Sequence, residues 1–555
     1  MGKASLSYRI IPFLLLPDGI SCVFIAIFAY ELGLDPNTDW SSSRFVLLFF
    51  GITLILISVF FFNKTAPILD SENLKTLFLL AHIWAVIFTV YAWFITYGNF
   101  TTWDHTTHYY TQLADGFNKG HLYLDREPSK ALLEAVDPNN PNDRPAFDDE
   151  VWDLSLYKGK FYLYWGPVPA LLIAPLQRLL AAPIMDIYLV YFFSVGLLVF
   201  NSLIILNLWR RFFPHIFVWN VFPCIPLIGF ILPIPWSLNV PQVYEAAIGT
   251  GQFFLMGGIY FTFLAFEKDP PNKKYLFLAG IFWACSVGSR AINVFSVIFF
   301  AALVSFWIVR GDLKGLGKPV RSVEYIKTLL PFFIPLVFGA LAIGWYNWAR
   351  FDSPFEFGLR YQITLFNLKT HTDWVFRPDY FPLNVYNYIF QPFEIISRFP
   401  FVKPLINTDF PETYFYAAGP VTGLLFSAPF LIFILGLFFS RKNEHPQTYY
   451  FFVYLLAGSF VINLLTILFY FFSQTRFLVD LISQITLLAI LGYWQLVTNI
   501  SNRNFIASKV FVTAANLLVI ATICLSILLS FSSETNRMET LNPQLIEKID
   551  QFFTK

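Results

Sequence analysis

Long apolar runs alternate with short polar stretches over most of the chain, and many of the runs are about 20 residues long. A run of that length crosses roughly 30 Å of hydrocarbon when it forms an α-helix. We therefore predict spans near residues 10–31, 44–63, 76–97, 185–208, 216–234, 245–266, 275–289, 291–309, 328–348, 418–439, 449–471, 478–496 and 509–531. The pattern predicts an all-α polytopic membrane protein with about 13 transmembrane helices.

Composition supports a protein that lives in a lipid bilayer. The chain is 56% hydrophobic and 13% charged, and its mean hydropathy is +0.58. A soluble protein of ordinary composition has about a quarter of its residues charged. The net charge of +1 provides no basic field for a nucleic acid, so we exclude that class of partner.

The positions of the basic residues predict the orientation. Lysines and arginines are retained on the cytoplasmic side of short loops. The basic residues of the short loops fall on one face: Lys3, Arg9, Lys64, Lys75, Arg210, Arg211, Lys268, Lys273, Lys274, the run Arg310 to Lys327, Arg441, Lys442, Arg503 and Lys509. We therefore expect a cytoplasmic N-terminus, and a first span that is retained because no small-residue cleavage site follows it.

The opposite, extracytoplasmic face then carries the long polar segments. The organisation that this predicts is a three-helix membrane segment at 1–97, a first outer loop at 98–184, central helices at 185–348, a second outer loop at 349–417, C-terminal helices at 418–531 and an outer tail at 532–555. Within the first loop, "YWGPVPALLIAPLQRLLAAP" at 164–183 is apolar but short and contains prolines. We expect an amphipathic or re-entrant helix there, lying along the membrane.

The ionisable residues inside apolar sequence lie near the outer ends of the predicted spans. They are Glu245, Arg290, Arg350, Arg476 and Asp480. A transporter is expected to carry such groups near the midplane, in broken helices of matching halves. No inverted repeat is evident, so the pattern favours a site at the outer interface and a transferase that acts on a lipid-linked group.

Several segments, in this order, resemble the GT-C glycosyltransferases of bacterial membranes, in particular the branch near the protein mannosyltransferases and aminoarabinose transferases. The first loop opens with "TTWDHTTHYY", followed by "GHLYLDREPSKALLEAVDPNNP" and "WDLSLYKGKFYLYWGPVPALLIAP". Later come "GSRAIN" at 288–293, "YNWARFDSPFEFGLRYQ" at 346–362 and "QTRFLVDLISQITLLA" at 474–489. The resemblance extends from about 76 to 500 and rests more on the order of the segments than on any one of them.

The resemblance implies an inverting sugar transfer from a polyprenyl-phosphate donor to a lipid, glycan or protein acceptor, on the outer face of the bacterial cytoplasmic (inner) membrane. It also implies a catalytic acid in the first outer loop, for which Asp104 is the first candidate and Asp153 the second. A carboxylate suits this role because it can orient or deprotonate the acceptor hydroxyl. The mannosyltransferase branch has an Asp-Glu pair where this chain has Asp104 followed by His105, which leaves the role of the second position open.

Further residues of the same loop are candidates for contact with the acceptor. These are His105, His108 and Tyr109, to which we add Glu245 from the membrane region. Asp104 and His105 together are also candidate ligands for a divalent metal. Their spacing matches no dedicated metal motif, and histidines that hydrogen-bond the substrate or the loop are the alternative. We expect no other cofactor.

A departing phosphate needs cationic groups, and four residues on the outer side qualify: Arg476, Arg290, Arg350 and Lys160. Arg476 is the first choice because it lies in a very short outer turn, where the alternative is an ion pair with Asp480. Arg290 has the alternative of pairing with Glu245 as a structural bridge. Two other functions stay open: a transporter or flippase of lipid-linked saccharides, and an O-antigen polymerase or ligase, although a ligase would be expected to have its largest outer loop late in the chain.

Overall fold

The computed structural model describes most of the chain. The described residues are 4–30, 32, 34–35, 37, 40–62, 71–103, 107–144, 151–315, 322–411, 415–440, 444–532 and 537–554. They fall into two compact units, one formed by residues 1–105 with 536–555 and the other by 106–535. The candidate site lies wholly within the second unit.

Helices dominate both units. The α-helices of the first unit before the first loop are α1 (Ala4–Ile27), α2 (Ser42–Phe62) and α3 (Ser71–Ile95). The second unit contains α4 (Tyr109–Asn118), α5 (Lys130–Leu133), α6 (Val168–Leu180), α7 (Asp186–Phe212), α8 (Cys224–Phe230), α9 (Ile234–Asn239), α10 (Val243–Ala265), α11 (Lys273–Ser289), α12 (Val294–Gly315), α13 (Ser322–Phe351), α14 (Phe381–Val385), α15 (Leu424–Ser427), α16 (Gln447–Leu468), α17 (Val479–Ser501) and α18 (Phe505–Phe531). The chain ends with α19 (Arg537–Leu541) and α20 (Pro543–Thr554), which belong to the first unit.

Tighter and wider helical turns and six short strands complete the second unit. The 3₁₀ segments are Val218–Asn220, Ala291–Asn293, Leu359–Tyr361, Thr372–Trp374, Pro378–Tyr380, Pro429–Phe439 and Thr475–Leu478, and Tyr386–Phe390 is a π-helix. The strands are β1 (Ser155–Tyr157), β2 (Lys160–Tyr162), β3 (Phe393–Ile395), β4 (Val402–Pro404), β5 (Ala417–Ala418) and β6 (Phe472–Ser473). They form three two-stranded sheets: β1 with β2 and β3 with β4 are antiparallel, and β5 with β6 is parallel.

The structure confirms an all-α integral membrane protein. Within the described residues, eight helices are long and apolar enough to cross a bilayer: Asp186–Phe212, Val218–Asn239, Val243–Ala265, Ala291–Arg310, Tyr325–Phe351, Gln447–Leu468, Thr475–Ser501 and Phe505–Phe531. Shorter apolar helices occupy Leu15–Ile27, Ser42–Ser58, Leu79–Ile95, Val168–Leu180 and Pro429–Phe439. The total of about 13 spans stays a prediction.

Two predicted spans are interrupted. The one at 216–234 is a 3₁₀ turn followed by α8 and α9, in a stretch that contains Pro223, Pro226, Pro233 and Pro235. Proline lacks the N–H that continues a helix, so the helix breaks where the sequence contains proline. The span at 418–439 is α15 followed by a 3₁₀ helix, which approaches α17 so closely that a Cβ atom on Gly436 would lie 2.2 Å from the carbonyl oxygen of Gly492.

Helix α17 is the centre of the second unit. Its apolar stretch is completely enclosed, whereas only 11% of the corresponding stretch of α13 is buried. Polar side chains on the enclosed helix therefore need partners within the bundle. Ser483 accepts a hydrogen bond from Asn201 at 2.9 Å, and Gln484 donates to Gln252 at 3.3 Å.

The first outer loop contains a short apolar helix, as the sequence predicted for 164–183. Helix α6 has 13 residues and at about 1.5 Å per residue reaches about 20 Å, too short to cross the hydrocarbon. Its inward face packs on α4, where Gln177 donates to Asp115 at 2.7 Å and Asn118 donates to the Ala174 carbonyl at 2.9 Å. Its leucines face outward: Leu171, Leu172, Leu176, Leu179 and Leu180 are exposed.

The two outer loops are joined by backbone hydrogen bonds. The N–H of Asp153 donates to the carbonyl of Ile363 at 2.8 Å, and the N–H of Ile363 donates to the carbonyl of Leu154 at 2.9 Å. The Ser155 hydroxyl adds a bond to the Gly358 carbonyl at 2.8 Å. Residues about 200 positions apart in sequence are thus joined.

Candidate functional site

A cavity of about 560 Å³ lies between the two loops, the first turn of α10 and the 3₁₀ turn that precedes α17. That volume falls within the range of about 300–1,000 Å³ typical of small-molecule sites. Its lining includes ten aromatic residues, and its polar groups come from both loops, the start of α10, the end of α11 and the turn before α17. The lining includes Asp153, Tyr164, Trp165, Tyr244, Arg290, Tyr470 and Arg476.

The start of α10 presents two polar residues toward this region. The helix begins with a capping box in which Gln242 is the N-cap and Glu245 the third helical residue, each side chain bonding the backbone of the other. The sequence Gln-x-x-Glu places them at the spacing that this reciprocal cap requires. Tyr244 lies between them, in the first turn, and is directed into the cavity.

Arg476 lies in the 3₁₀ turn that leads directly into α17. The turn is held from outside the helix, because the Thr475 hydroxyl donates to the Pro420 carbonyl at 2.7 Å and the N–H of Gln474 donates to the Tyr388 hydroxyl at 3.1 Å. The strand pair β5–β6 holds the residues just before it. These contacts keep Arg476 at the positive end of the α17 dipole.

The guanidinium of Arg476 is buried and only partly satisfied. Its central carbon lies 4.0 Å from the ring centroid of Tyr244, and its Nη1 atom lies 3.6 Å from Oε1 of Glu245. Within the described part of the chain its Nε atom has no hydrogen-bond partner. A guanidinium has five N–H donors, so the site retains capacity for an anion.

Asp153 is held in the left-handed backbone region, with φ of +60°. Aspartate tolerates that region better than most residues, and such conformations concentrate at functional sites. Its carbonyl accepts a hydrogen bond from the Gln362 side chain at 3.2 Å, in addition to the N–H bond to Ile363. The second loop thus orients this acid of the first loop toward the cavity.

Tyr244 connects Asp153 with Arg476. Its hydroxyl donates to Oδ2 of Asp153 while its ring lies against the guanidinium of Arg476. Burial raises the pKa of Asp153, and the Tyr244 hydrogen bond and the charge of Arg476 act in the opposite direction. The indole of Trp165 packs edge-on against Tyr244, with the ring centroids 5.0 Å apart.

Arg290 lines the same cavity but is fully engaged with Asp480. Its Nε lies 2.9 and 2.8 Å from the two carboxylate oxygens, and its Nη2 lies 2.6 Å from Oδ2. The sequence suggested the pairs Arg476–Asp480 and Arg290–Glu245. In the structure the partners are exchanged, because Arg290 pairs with Asp480 and Arg476 lies next to Glu245. The 3₁₀ turn has about 3.0 residues per turn, which moves Arg476 off the face of Asp480.

Two of the predicted phosphate ligands lie outside the cavity lining. Arg350 is buried, donates to the Leu163 carbonyl at 2.7 Å and to Asn347 at 2.8 Å, and stacks on Tyr346. Lys160 forms an ion pair with Glu127 at 3.0 Å. Both cations are used to hold the loop in place.

The other predicted residues are distributed differently. Asp104 and His105 lie outside the described residues, so their catalytic and metal-binding roles stay predictions. His108 is the exposed N-cap of α4, and Tyr109 is buried with its hydroxyl donating to the Trp152 carbonyl at 2.8 Å. The described ranges contain no group of three acidic, histidine or cysteine side chains able to hold a metal ion.

Sequence reasoning missed Tyr244, which lines the cavity, and the buried Asp186. Tyr244 stands beside Glu245, and an aromatic residue next to a charge at the start of an apolar helix is the available signal. Asp186 is a lone acid at the start of a long apolar helix, which is the same kind of signal. Its contacts are described below.

The site offers one cationic group with free donors, one oriented carboxylate and aromatic walls. This combination can bind a small anionic headgroup at one end and activate a hydroxyl at the other. Comparisons of the chain with protein-family models, with curated proteins and with solved structures found no match. The functional assignment therefore rests on the geometry of the site.

Proposed function

We propose that this chain is an inverting membrane glycosyltransferase of the GT-C type that moves a sugar from a polyprenyl-phosphate donor to a lipid, glycan or protein acceptor. The observation that carries the proposal is the Asp153–Tyr244–Arg476 arrangement in the cavity. It brings a carboxylate and a guanidinium with free donors to one small space.

Arg476 is assigned to the donor phosphate. A sugar bound through a phosphodiester leaves with a growing negative charge on phosphate oxygen, and preorganised donors lower the barrier by stabilising that charge. A planar guanidinium can bind two oxygens at once, and the N-terminal ends of α10 and α17 add partial positive charge. Arg290 contributes positive potential from the cavity wall while bonded to Asp480.

Asp153 is assigned to the acceptor hydroxyl. In an inverting transfer the acceptor oxygen bonds to the anomeric carbon as the bond from that carbon to the phosphate oxygen breaks. The hydroxyl proton passes to the carboxylate, which acts as a general base. Asp104 remains the alternative base, because it belongs to the same first loop and lies outside the described residues.

The aromatic walls suit the remaining parts of the donor. Trp165, Tyr164 and Tyr470 offer flat faces and hydroxyl groups next to the charged pair. Amphipathic rings of this kind are common where an apolar environment meets water. The basic-residue pattern supports an extracytoplasmic location for these groups. The resemblance to the GT-C glycosyltransferases supports a bacterial cytoplasmic membrane, and the apolar runs support about 13 spans in total.

A flippase for lipid-linked saccharides is the second candidate. The observation that favours it is the Arg290–Asp480 pair, whose carboxylate is completely buried inside the bundle. This carboxylate accepts a hydrogen bond from Gln252, which in turn accepts one from Gln484. Ionisable groups buried within spans often mark transport pathways.

One experiment separates the two functions. Purified protein is incubated with a panel of polyprenyl-phosphate sugars and candidate acceptors, and release of free polyprenyl phosphate is measured. The transferase predicts release that falls at least about a hundredfold in Asp153→Asn and falls at limiting donor in Arg476→Ala. Arg360→Ala, which replaces an exposed arginine paired with Glu356, should leave release intact. Movement of a labelled donor across a reconstituted bilayer without release would assign the flippase instead.

A further inference from the structure

Asp186 is an acid whose role neither the donor site nor the base explains. It is the first residue of α7 and is completely buried. Its Oδ2 accepts from the Thr107 hydroxyl at 2.6 Å and from the N–H of Tyr109 at 3.1 Å, and its Oδ1 accepts from the N–H of Tyr110 at 3.1 Å. A buried carboxylate is tolerated only with such donors.

These bonds replace a missing local cap on α4. The N-cap residue His108 makes no side-chain capping bond, so the first N–H groups of the helix would otherwise lack an acceptor. Asp186 supplies both acceptors from a position more than 70 residues later in the chain. The start of α4 is thereby attached to the start of α7.

Two further bonds lead from this junction to the site. The Thr107 hydroxyl oxygen accepts from the N–H of Val243 at 2.8 Å, and Val243 directly precedes Tyr244. The Tyr109 hydroxyl donates to the carbonyl of Trp152 at 2.8 Å, and Trp152 directly precedes Asp153. Asp186 thus binds Thr107 and Tyr109. These two residues in turn bind the residues that precede Tyr244 and Asp153.

We propose that Asp186 is a positioning residue that aligns the Asp153 carboxylate with the Tyr244 hydroxyl through Thr107 and Tyr109. This inference rests on the proposed function for its kinetic consequence. Asp186 itself does not line the cavity. Its effect therefore reaches the substrate only through Thr107 and Tyr109. The turn that carries Arg476 is held by separate contacts through Thr475 and Gln474, so its backbone should be little affected.

The kinetic expectation follows from this separation. A displacement of about 1 Å in a reacting group can cost about a hundredfold in rate. Asp186→Asn places an amide among N–H donors and removes one acceptor, so kcat should fall at least about tenfold while KM for the donor changes less than about threefold. Thr107→Val should lower kcat in the same way, and Thr107→Ser, which keeps the hydroxyl, should restore it.

Asp115→Asn is the matched control. Asp115 lies on the same α4 helix, is partly buried and accepts a hydrogen bond from Gln177. Among the described residues it bonds neither Thr107 nor Tyr109. It should change kcat less than about twofold. Equal losses for Asp115→Asn and Asp186→Asn would overturn the proposal, because the effect would then be a general loosening of α4.

A second measurement does not depend on sugar transfer. With 3-fluorotyrosine introduced at position 244, the ¹⁹F resonance reports the hydroxyl environment, and Asp153→Ala calibrates loss of the hydrogen bond. Asp186→Asn and Thr107→Val should move the resonance toward the calibrated position, and Asp115→Asn should not. An unchanged resonance in folded Asp186→Asn and Thr107→Val would overturn the positioning role, whereas wild-type protein that transfers no sugar would reject only the proposed function.

Discussion

The Nη1 atom of Arg476 lies 3.6 Å from Oε1 of Glu245. Charge-assisted N–H···O bonds are about 2.7–2.9 Å long, so this pair attracts without forming a close hydrogen bond. Glu245 is meanwhile held by the capping box of α10. The carboxylate therefore offsets part of the buried charge of Arg476 while the guanidinium donors stay available to a substrate anion.

Arg476 should control use of the donor. Arg476→Ala should raise KM for a polyprenyl-phosphate sugar at least about tenfold, and Arg476→Lys should rescue poorly because a point-like ammonium cannot reproduce a planar fork. Initial rates at limiting donor measure the effect, with Arg360→Ala as the exposed control. Normal turnover by both Arg476 variants would show that a residue other than Arg476 binds the donor phosphate.

The two candidate bases can be distinguished by matched substitutions. Asp153→Asn and Asp104→Asn each keep size but remove basicity, and the true base should lose about a hundred- to ten-thousandfold in kcat. Asp115→Asn, in the same loop, should cost much less. If Asp104→Asn has the larger effect and chelation of divalent metal ions reproduces it, the predicted Asp104–His105 metal site gains support over Asp153.

The pH dependence should reflect the raised pKa of Asp153. A base must be ionised, so kcat/KM should fall on the acid side at a pH above the usual aspartate value of about 4. The Tyr244 hydroxyl stabilises the ionised form, so Tyr244→Phe should move this acid limb to still higher pH. A limb unmoved by Tyr244→Phe would mean that another group titrates.

The same shift has a consequence for stability. A carboxyl whose pKa is higher in the folded state binds its proton more tightly there, so its contribution to stability is lost as pH rises through the folded pKa. Asp153→Asn should therefore gain stability relative to wild type as pH rises through that range. Thermal unfolding of the two proteins in detergent at several pH values provides the measurement.

The Arg290–Asp480 pair should be needed for folding of the bundle. Asp480→Asn leaves a nearly buried guanidinium without its counter-ion, and breaking such a pair typically costs about 3–5 kcal/mol. The double variant Arg290→Met with Asp480→Leu removes both charges and should recover most of that loss. Denaturant unfolding in detergent tests this, and a double variant no more stable than Asp480→Asn would contradict it.

The orientation can be tested with single cysteines. In a background without Cys22, Cys224, Cys285 and Cys524, Val136→Cys places a thiol at a fully exposed loop position. A membrane-impermeant maleimide should label it in intact cells, and Lys268→Cys, in the turn between α10 and α11, should be labelled only after permeabilisation. The reverse pattern would place the first loop in the cytoplasm.

Much of the fold could be read from hydrophobic pattern alone. Apolar runs of span length predict helices because hydrocarbon offers no partner for a free backbone group, and that constraint is local. The charged residues at span ends could be read in the same way, so the sequence offered Glu245, Arg290 and Arg476 as candidates and Asp480 as a possible ion-pair partner. The breaks near Pro223 and at α15 depend on proline positions and on close helix contact, which the average hydropathy does not contain.

Which residues meet was decided only by the tertiary structure. Asp153 and Tyr244 are 91 residues apart, and Arg290 and Asp480 are 190 apart, so neither pairing follows from local spacing. Sequence proximity suggested Arg476 with Asp480, but a 3₁₀ turn changed the helical phase between them. Chain order determines which side chains are available near the ends of helices, whereas packing of those helices determines their partners, because charge and hydrogen bonding act over a few ångströms of space.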